Sequence, residues 1–295
     1  MRYMKAALRP LKRRALGLLL VAILGITAAV GAVSGHRYEK RIQSYVADIR
    51  AGAEREQKRV TAADYAGLPE PVQRYFEFAL EEGQPYVRTA RLEQRGRFRL
   101  GGNESPWYPL SATQHVSTEP PGFVWDATMT IFRVVPVRVL DMYRRGVGRL
   151  EARVFAAVPV ASAGPDPEMN EAELERYLAE AAWYPTALLP AAGVEWTAID
   201  DDTARATLED SVTASLVFHF DDDGRIDRVT TERYRQDTAE YAPWTGYFEA
   251  YESRNGMQIP TRGEVAWNQP EGDVRYGQFT VTDIEHVTSS GAIGR

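Results

Sequence analysis

The spacing of hydrophobic residues changes from a helical period to a strand period at about residue 86. Before that point, two segments carry apolar residues at spacings of three and four, which predicts amphipathic helices. The first follows His36 and places on one face Ile42, Tyr45, Val46 and Ile49. The second starts near Pro69 and Pro71 and places on one face Val72, Tyr75, Phe76 and Ala79. We expect residues 36–85 to form a helical stalk and a helical brace.

From Tyr86 onward, apolar and polar residues alternate, as they do in strands that bury one face. The alternation is clearest over residues 123–131 and 212–220. Short turns rich in Asp, Asn and Gly separate alternating runs and predict antiparallel hairpins. This alternation predicts that residues 86–288 form a mainly β domain. Because open sheets of more than about ten strands tend to curl, we expect its sheet to be strongly curved. Its predicted form is a curved antiparallel half-barrel of about a dozen strands, followed by a disordered tail over 289–295.

One helix interrupts the predicted strands. Asn170 and Glu173 have the spacing of a capping box, so we expect Asn170 to cap this helix. The helix should end at Tyr184-Pro185 and bury one face, formed by Leu174, Tyr177, Leu178 and Ala181. A helix lying across the mouth of a half-barrel would enclose a cavity.

The N-terminal segment has the pattern of a membrane anchor. Ala15 to Gly35 contain no charged residue and as a helix would span about 30 Å, the thickness of a bilayer core. Only positive charges precede this segment, which places the N-terminus in the cytoplasm and the rest of the chain outside. A cleaved signal peptide ending at Val30-Gly31-Ala32 is the alternative. We favour a single-pass signal anchor over residues 1–35; both interpretations place the main domain outside the cytoplasm, in the cell envelope or periplasm.

Composition narrows the classes of function. The net charge is −6 although the first 35 residues are strongly basic, so the remaining chain is acidic and nucleic-acid binding is not expected. The chain has no cysteine, which excludes disulfides and thiolate catalysis. Its four histidines form no recognised metal-binding motif, and its glycines form no phosphate-binding loop. We expect neither a metal nor a cofactor.

Several segments together resemble an uncharacterised bacterial family, a domain of unknown function in membrane-anchored proteins. They are LPEPVQRYFEFAL from Leu68, PPGFVWDATM from Pro120, AELERYLAEAAWYPTALLP from Ala172, FHFDDDGRI from Phe218, PWTGYFEAY from Pro243 and IPTRGEVAW from Ile259. The resemblance implies membership and no activity. In strand order and inserted helix, the domain also resembles the periplasmic lipoprotein-carrier fold, whose half-barrel holds acyl chains beneath helices.

Two acids are candidates for catalysis. Asp126 and Glu264 each alternate with apolar strand neighbours, so both would be buried if the second face of the sheet lined a cavity. With Tyr143 or Arg262 as helpers, the pair could act in an envelope hydrolase, provided that the two carboxyl groups lie about 5–10 Å apart.

Aromatic residues favour binding over catalysis. Large apolar rings with polar edges suit a cavity that orients a ligand. The candidates are Trp125, Tyr177, Trp183, Tyr184, Trp244 and Trp267. The leading hypothesis is a membrane-anchored protein that binds a hydrophobic or amphipathic ligand, such as a lipid. The alternatives are the hydrolase and a non-catalytic module that docks onto another membrane protein, whose identity the sequence does not give.

Overall fold

The computed structural model describes residues 31–51 and 58–288. The predicted membrane anchor falls largely on residues 1–30 and the predicted tail on residues 289–295, so both lie outside the described residues. Among the helices of the described ranges, none is both long and apolar enough to span a bilayer.

Thirteen strands of the described chain form one antiparallel sheet. Their bounds are β1 Thr89–Arg99, β2 Trp107–Thr118, β3 Pro121–Ile131, β4 Val135–Arg144, β5 Val147–Val154, β6 Val158–Ala163, β7 Val194–Ala198, β8 Thr203–Glu209, β9 Thr213–Phe220, β10 Ile226–Arg235, β11 Glu240–Arg254, β12 Met257–Trp267 and β13 Val274–Val287. The helices are α1 over residues 31–51, α2 Glu70–Ala79 and α3 Pro167–Glu180. Short 3-10 turns follow α3 at Ala181–Trp183, Pro185–Leu188 and Pro190–Ala192.

The chain enters the sheet at its centre. It runs outward from β1 to the edge strand β6, crosses through α3 to the opposite edge strand β7, and returns inward to β13, which pairs with β1. A helix that joins the two edges has to cross one face of the sheet, and α3 contacts strands of both halves, including β5 and β9. This face is called the inner face below.

The predicted mainly β, curved antiparallel architecture with one inserted helix is confirmed. The buried alternation of β3 and β9 follows the predicted pattern, and the Asn255-Gly256 turn joins β11 to β12 with both residues at positive φ, as a tight hairpin requires. The alternating pattern did not predict residues 158–163, which form β6 as a separate strand, or the first part of β11, which begins at Glu240.

Helix α1 lies against the outer face of the sheet. Its apolar stripe, predicted from spacing, contacts side chains of β3 and β4 that point away from α3. Tyr38 also donates a hydrogen bond to Asp126 at 3.1 Å, and the Arg138 guanidinium forms an ion pair with the same carboxylate at 2.5 Å. Helix α1 is therefore packed on the sheet from Tyr38 to Ile49. The contacting residues are Tyr38, Ile42, Val46, Ile49, Val124, Leu140, Met142 and Ala156.

The cap of α3 corrects the sequence prediction. Asp166 is the N-cap, and its side chain accepts a hydrogen bond from the Met169 backbone N–H at 2.7 Å. Pro167 occupies the first helical position, where its missing N–H costs nothing. Asn170 lies inside the helix instead, and its Oδ1 accepts a hydrogen bond from the Gly148 N–H at 2.8 Å. This contact fixes the first turn of α3 onto β5.

The contact between α3 and β5 leaves no room for a side chain at Gly148. A Cβ atom there would lie 2.4 Å from the Met169 carbonyl oxygen, a backbone atom that cannot rotate away. We expect Gly148→Ala to lower the free energy of unfolding by about 2 kcal/mol, as overpacked core substitutions do.

Gly263→Ala in β12 is the matched control for Gly148→Ala. The nearest atom to its added Cβ would lie at 3.6 Å, an ordinary contact distance, so we expect unchanged or slightly increased stability. Urea unfolding followed by tryptophan fluorescence compares the two variants with the wild-type protein. Equal stability of the two variants would contradict the close approach of α3 to β5.

Candidate binding cavity

A cavity of about 630 Å³ lies between the inner face of the sheet and α3. Most of its lining side chains are apolar and come from both halves of the sheet, including Met129 and Val139 from one half and Val265 and Phe279 from the other. The volume is within the range of pockets that hold small organic ligands. The cavity exists because α3 bridges the two halves of the curved sheet without filling the space between them.

The structure brings four of the six predicted aromatic residues to this cavity. Trp125, Trp183, Trp244 and Trp267 line it, whereas Tyr177 and Tyr184 are packed in the protein core. The Trp244 indole N–H donates to the Tyr276 hydroxyl at 2.8 Å, and Trp267 stacks on the Tyr276 ring. The Trp183 N–H is buried and has no hydrogen-bond partner among the residues that the structure describes.

Charged side chains of α3 also line the cavity. Arg176 forms an ion pair with Asp141 of β4 at 2.5 Å and another with Glu180, one turn further along α3, at 2.9 Å. Its guanidinium lies 4.9 Å from the ring centroids of both Phe123 and Trp125. A charge in a low-dielectric interior is tolerated only when it is paired, and Arg176 has two carboxylates and two aromatic faces.

A chain of hydrogen bonds connects this ion pair to the middle of the sheet. Gln114 donates to Glu180 at 2.5 Å, Gln94 donates to Gln114 at 3.4 Å, and Trp125 donates to Gln94 at 2.8 Å. Both glutamines are buried. The chain satisfies their polar groups and fixes the orientation of the Trp125 ring beside Arg176.

A second charged pair lies on the same helix and is looser. Glu173 Oε1 lies 3.6 Å from the nearest guanidinium nitrogen of Arg233 in β10, beyond ordinary hydrogen-bond distance. Burial raises the pKa of Glu173 well above its ordinary value, and the Asp141 carboxylate beside it raises that pKa further. Glu173 and Asp141 each have one buried carboxyl oxygen without a partner in the described ranges. A proton held by Glu173 relieves the repulsion between the two acids.

The structure does not bring the predicted carboxylates together. Asp126 lies on the outer face, bound by Tyr38 and Arg138, while Glu264 borders the cavity and is held by Gln278 and Arg275. Their strands, β3 and β12, are four positions apart in the sheet, which at about 4.8 Å per strand is roughly 19 Å.

The two predicted helper residues of the hydrolase also lie apart from the cavity. The Tyr143 hydroxyl donates to Asp210 at 2.6 Å, and Arg262 is exposed on β12. Neither belongs to the cavity lining. The geometry therefore gives no support to a hydrolase built from these four residues.

Sequence reasoning named Glu264 as a candidate but missed the other five charged residues of the cavity. They are Asp141, Glu173, Arg176, Glu180 and Arg233. A signal was present for two of them, since strand alternation places Asp141 on the same face as Val137 and Val139, and Arg233 on the same face as Val229. No group of three or more potential metal ligands occurs in residues 31–51 and 58–288.

Glu175 gives this region a pH dependence that can be measured. Its buried carboxylate accepts a hydrogen bond from Thr231 at 3.0 Å, and burial raises its pKa to about 7. Because this pKa is higher in the folded state than in the unfolded state, the group favours folding at low pH. That contribution is lost as pH rises through about 7.

We expect Glu175→Gln to remove this pH dependence. The free energy of unfolding of the variant minus that of the wild-type protein should rise by roughly 3 kcal/mol between pH 4 and pH 8. Urea unfolding at several pH values measures the difference. A difference that is flat across this range would show that Glu175 ionises in the folded protein as it does in water.

The comparisons with known proteins give a family but no activity. No curated protein matches the chain in sequence. Among solved structures, the LolA superfamily protein NE2245 from Nitrosomonas europaea is similar at 12% identity and a TM-score of 0.34, over 77% of this chain and 94% of that one. A beta-barrel-like protein of the domain of unknown function DUF1849 from Brucella abortus is similar at 8% identity and a TM-score of 0.27, over 68% of this chain and 99% of that one. The sequence model of DUF6920, a family of unknown function, matches residues 66–286, and the chain belongs to this family.

Proposed function

We propose that this protein is a membrane-anchored, extracytoplasmic binding protein that holds a hydrophobic or amphipathic ligand, such as a lipid, in the cavity beneath α3. The cavity carries the proposal, because about 630 Å³ of space with mostly apolar walls is costly unless it is filled in use. The uncharged N-terminal segment with its basic flank supports the anchor and the orientation.

Exposed apolar side chains near the cavity support a lipid as the ligand. The β3–β4 turn exposes Phe132 and Val134, at 74% and 75% of their surface, and the β5–β6 turn exposes Phe155. These turns directly adjoin the cavity-lining residues Ile131 and Val154. Contact of these turns with a bilayer would give a poorly soluble ligand a short path into the cavity.

The proposal is one of binding and not of catalysis. Five of the charged groups of the cavity lie on α3 or face it, Glu264 lies apart on β12, and most of the remaining lining is apolar. Such a division matches a ligand with one polar end and one long apolar part. Docking onto another membrane protein remains a separate role, for which the described surface offers no specific observation.

The first test is the mass of the protein taken from its own membrane. We expect native mass spectrometry of the full chain, extracted in a mild detergent, to show one bound molecule per protein. Denaturing extraction should then release a lipid. A mass equal to that of the bare chain, together with no binding of a fluorescent fatty acid, would refute the proposal.

A second test fills the cavity. Val139 in β4 lines it and pairs with two small neighbours, Ala127 and Ala152, so an indole at this position would project into the space. We expect Val139→Trp to weaken the binding of a fluorescent fatty acid at least about tenfold with little change in stability. Ile199→Trp adds the same ring at an exposed position outside the cavity and should bind as the wild-type protein does. Equal binding by both variants would place the ligand elsewhere.

A further inference from the structure

Arg233 is a largely buried cation whose hydrogen-bonding capacity is mostly unused. Its side chain lines the cavity, is 12% exposed, and lies with its guanidinium 5.3 Å from the centroid of the Trp244 ring. Its one ion pair in the described chain is the 3.6 Å contact with Glu173, and no hydrogen bond to the guanidinium occurs there. A guanidinium has five N–H donors in a planar fork, so Arg233 has donors to offer a ligand.

The same cavity contains a second arginine, Arg176, whose charge is fully paired. It contacts Asp141 at 2.5 Å and Glu180 at 2.9 Å, so one positive charge faces two carboxylates. The charged residues of the cavity therefore fall into two groups. Carboxylates outnumber the cation at Arg176, whereas the positive charge of Arg233 is only partly balanced.

The acids that face Arg233 from α3 do not neutralise it fully. Glu173 is buried and adjacent to Asp141, and both features raise its pKa and favour its neutral form. Glu175 is likewise buried, with its pKa raised to about 7, and it is held by Thr231. A neutral Glu173 carboxyl shares its proton with Asp141 and leaves the charge of Arg233 without a full counter-charge.

The cavity wall around Arg233 is mainly aromatic. Trp244, Trp267 and Tyr276 form the nearby cavity wall, and their rings would contact the apolar part of a ligand. Burial of a planar, charged fork among aromatic rings strengthens its hydrogen bonds to an anion and disfavours uncharged competitors.

We propose that Arg233 binds the anionic headgroup of a single-chain amphiphile, a carboxylate or a phosphate, whose alkyl chain lies in the apolar part of the cavity. This inference rests on the proposed function and names the class of ligand. The guanidinium fork would accept two oxygens of the headgroup side by side.

The test is a competition among probes with one alkyl chain and different headgroups. The full chain in a mild non-ionic detergent is incubated with equal amounts of hexadecanoate, hexadecyl phosphate, hexadecan-1-ol and hexadecylamine, and native mass spectrometry reports which is bound. We expect one of the two anions to bind the wild-type protein at least about tenfold more tightly than the alcohol. The relative amounts of hexadecanoate and hexadecyl phosphate distinguish the two headgroups.

Substitutions at position 233 assign the preference to Arg233. Arg233→Met keeps an apolar stem over Trp244 and leaves no unpaired charge, because Glu173 can hold its proton. We expect it to bind the anions within about twofold of the alcohol, while its affinity for the alcohol is unchanged. Arg233→Lys, which keeps the charge without the fork, should retain part of the preference and serves as a second variant if Arg233→Met does not fold. Arg262→Gln removes one exposed positive charge outside the cavity and should retain the wild-type preference.

Three outcomes would overturn the assignment. Tightest binding of hexadecylamine would place the headgroup at Asp141 and Glu173 instead. Equal preference in the wild-type protein and in Arg233→Met would show that Arg233 does not contact the headgroup. Failure of all four probes to bind the wild-type protein would refute the proposed function, and this result is distinct from binding without headgroup preference.

Discussion

The connection between the two edges of the sheet is the constraint on which the rest of the structure depends. Strands β6 and β7 lie at opposite edges, and the chain joins them through α3, which must therefore cross the inner face. A helix in that position is covered on nearly all sides, so its charged residues need partners inside the protein. Arg176 has Asp141 and Glu180, whereas Arg233 and Glu173 are paired more loosely. Both the cavity and its charged cluster follow from this one crossing.

Most of the sheet could be predicted because each strand buries one face, so apolar and polar residues alternate along its sequence. Prediction failed where burial stopped alternating. Residues 158–162 of β6 are exposed on both faces, so nothing in their pattern separates them from β5. The outer face of β3 is also buried, because α1 covers Val124, and this contact could not be seen from β3 alone. The cap of α3 was misplaced because Asn170 and Glu173 have capping-box spacing, while Asp166 with Pro167 is the actual start.

Part of the candidate site could be predicted from the sequence. Large aromatic residues on alternating positions are found in the walls of β-sheet cavities, and four of the six named residues line this one. The charged cluster was missed because the stripe Leu174, Tyr177 and Leu178 suggested a helix with one buried face. In the structure Glu173 and Glu175 are buried as well, since both halves of the sheet surround α3. Amphipathic spacing indicates which face a helix buries first, but not whether the opposite face is also covered.

The energetics of the cluster favour a role beyond stability. Buried ion pairs contribute little net free energy of folding, because the cost of desolvating the charges offsets their attraction, and apolar side chains of similar volume often stabilise as well or better. Around Arg176 the protein at least pairs the cation directly with two carboxylates. At Arg233 it keeps a guanidinium at 3.6 Å from an acid whose pKa is raised, next to space that no side chain fills. Loose pairing and unfilled volume each lower stability, and they occur at the same place, which is the arrangement expected where a ligand completes the packing and the hydrogen bonds.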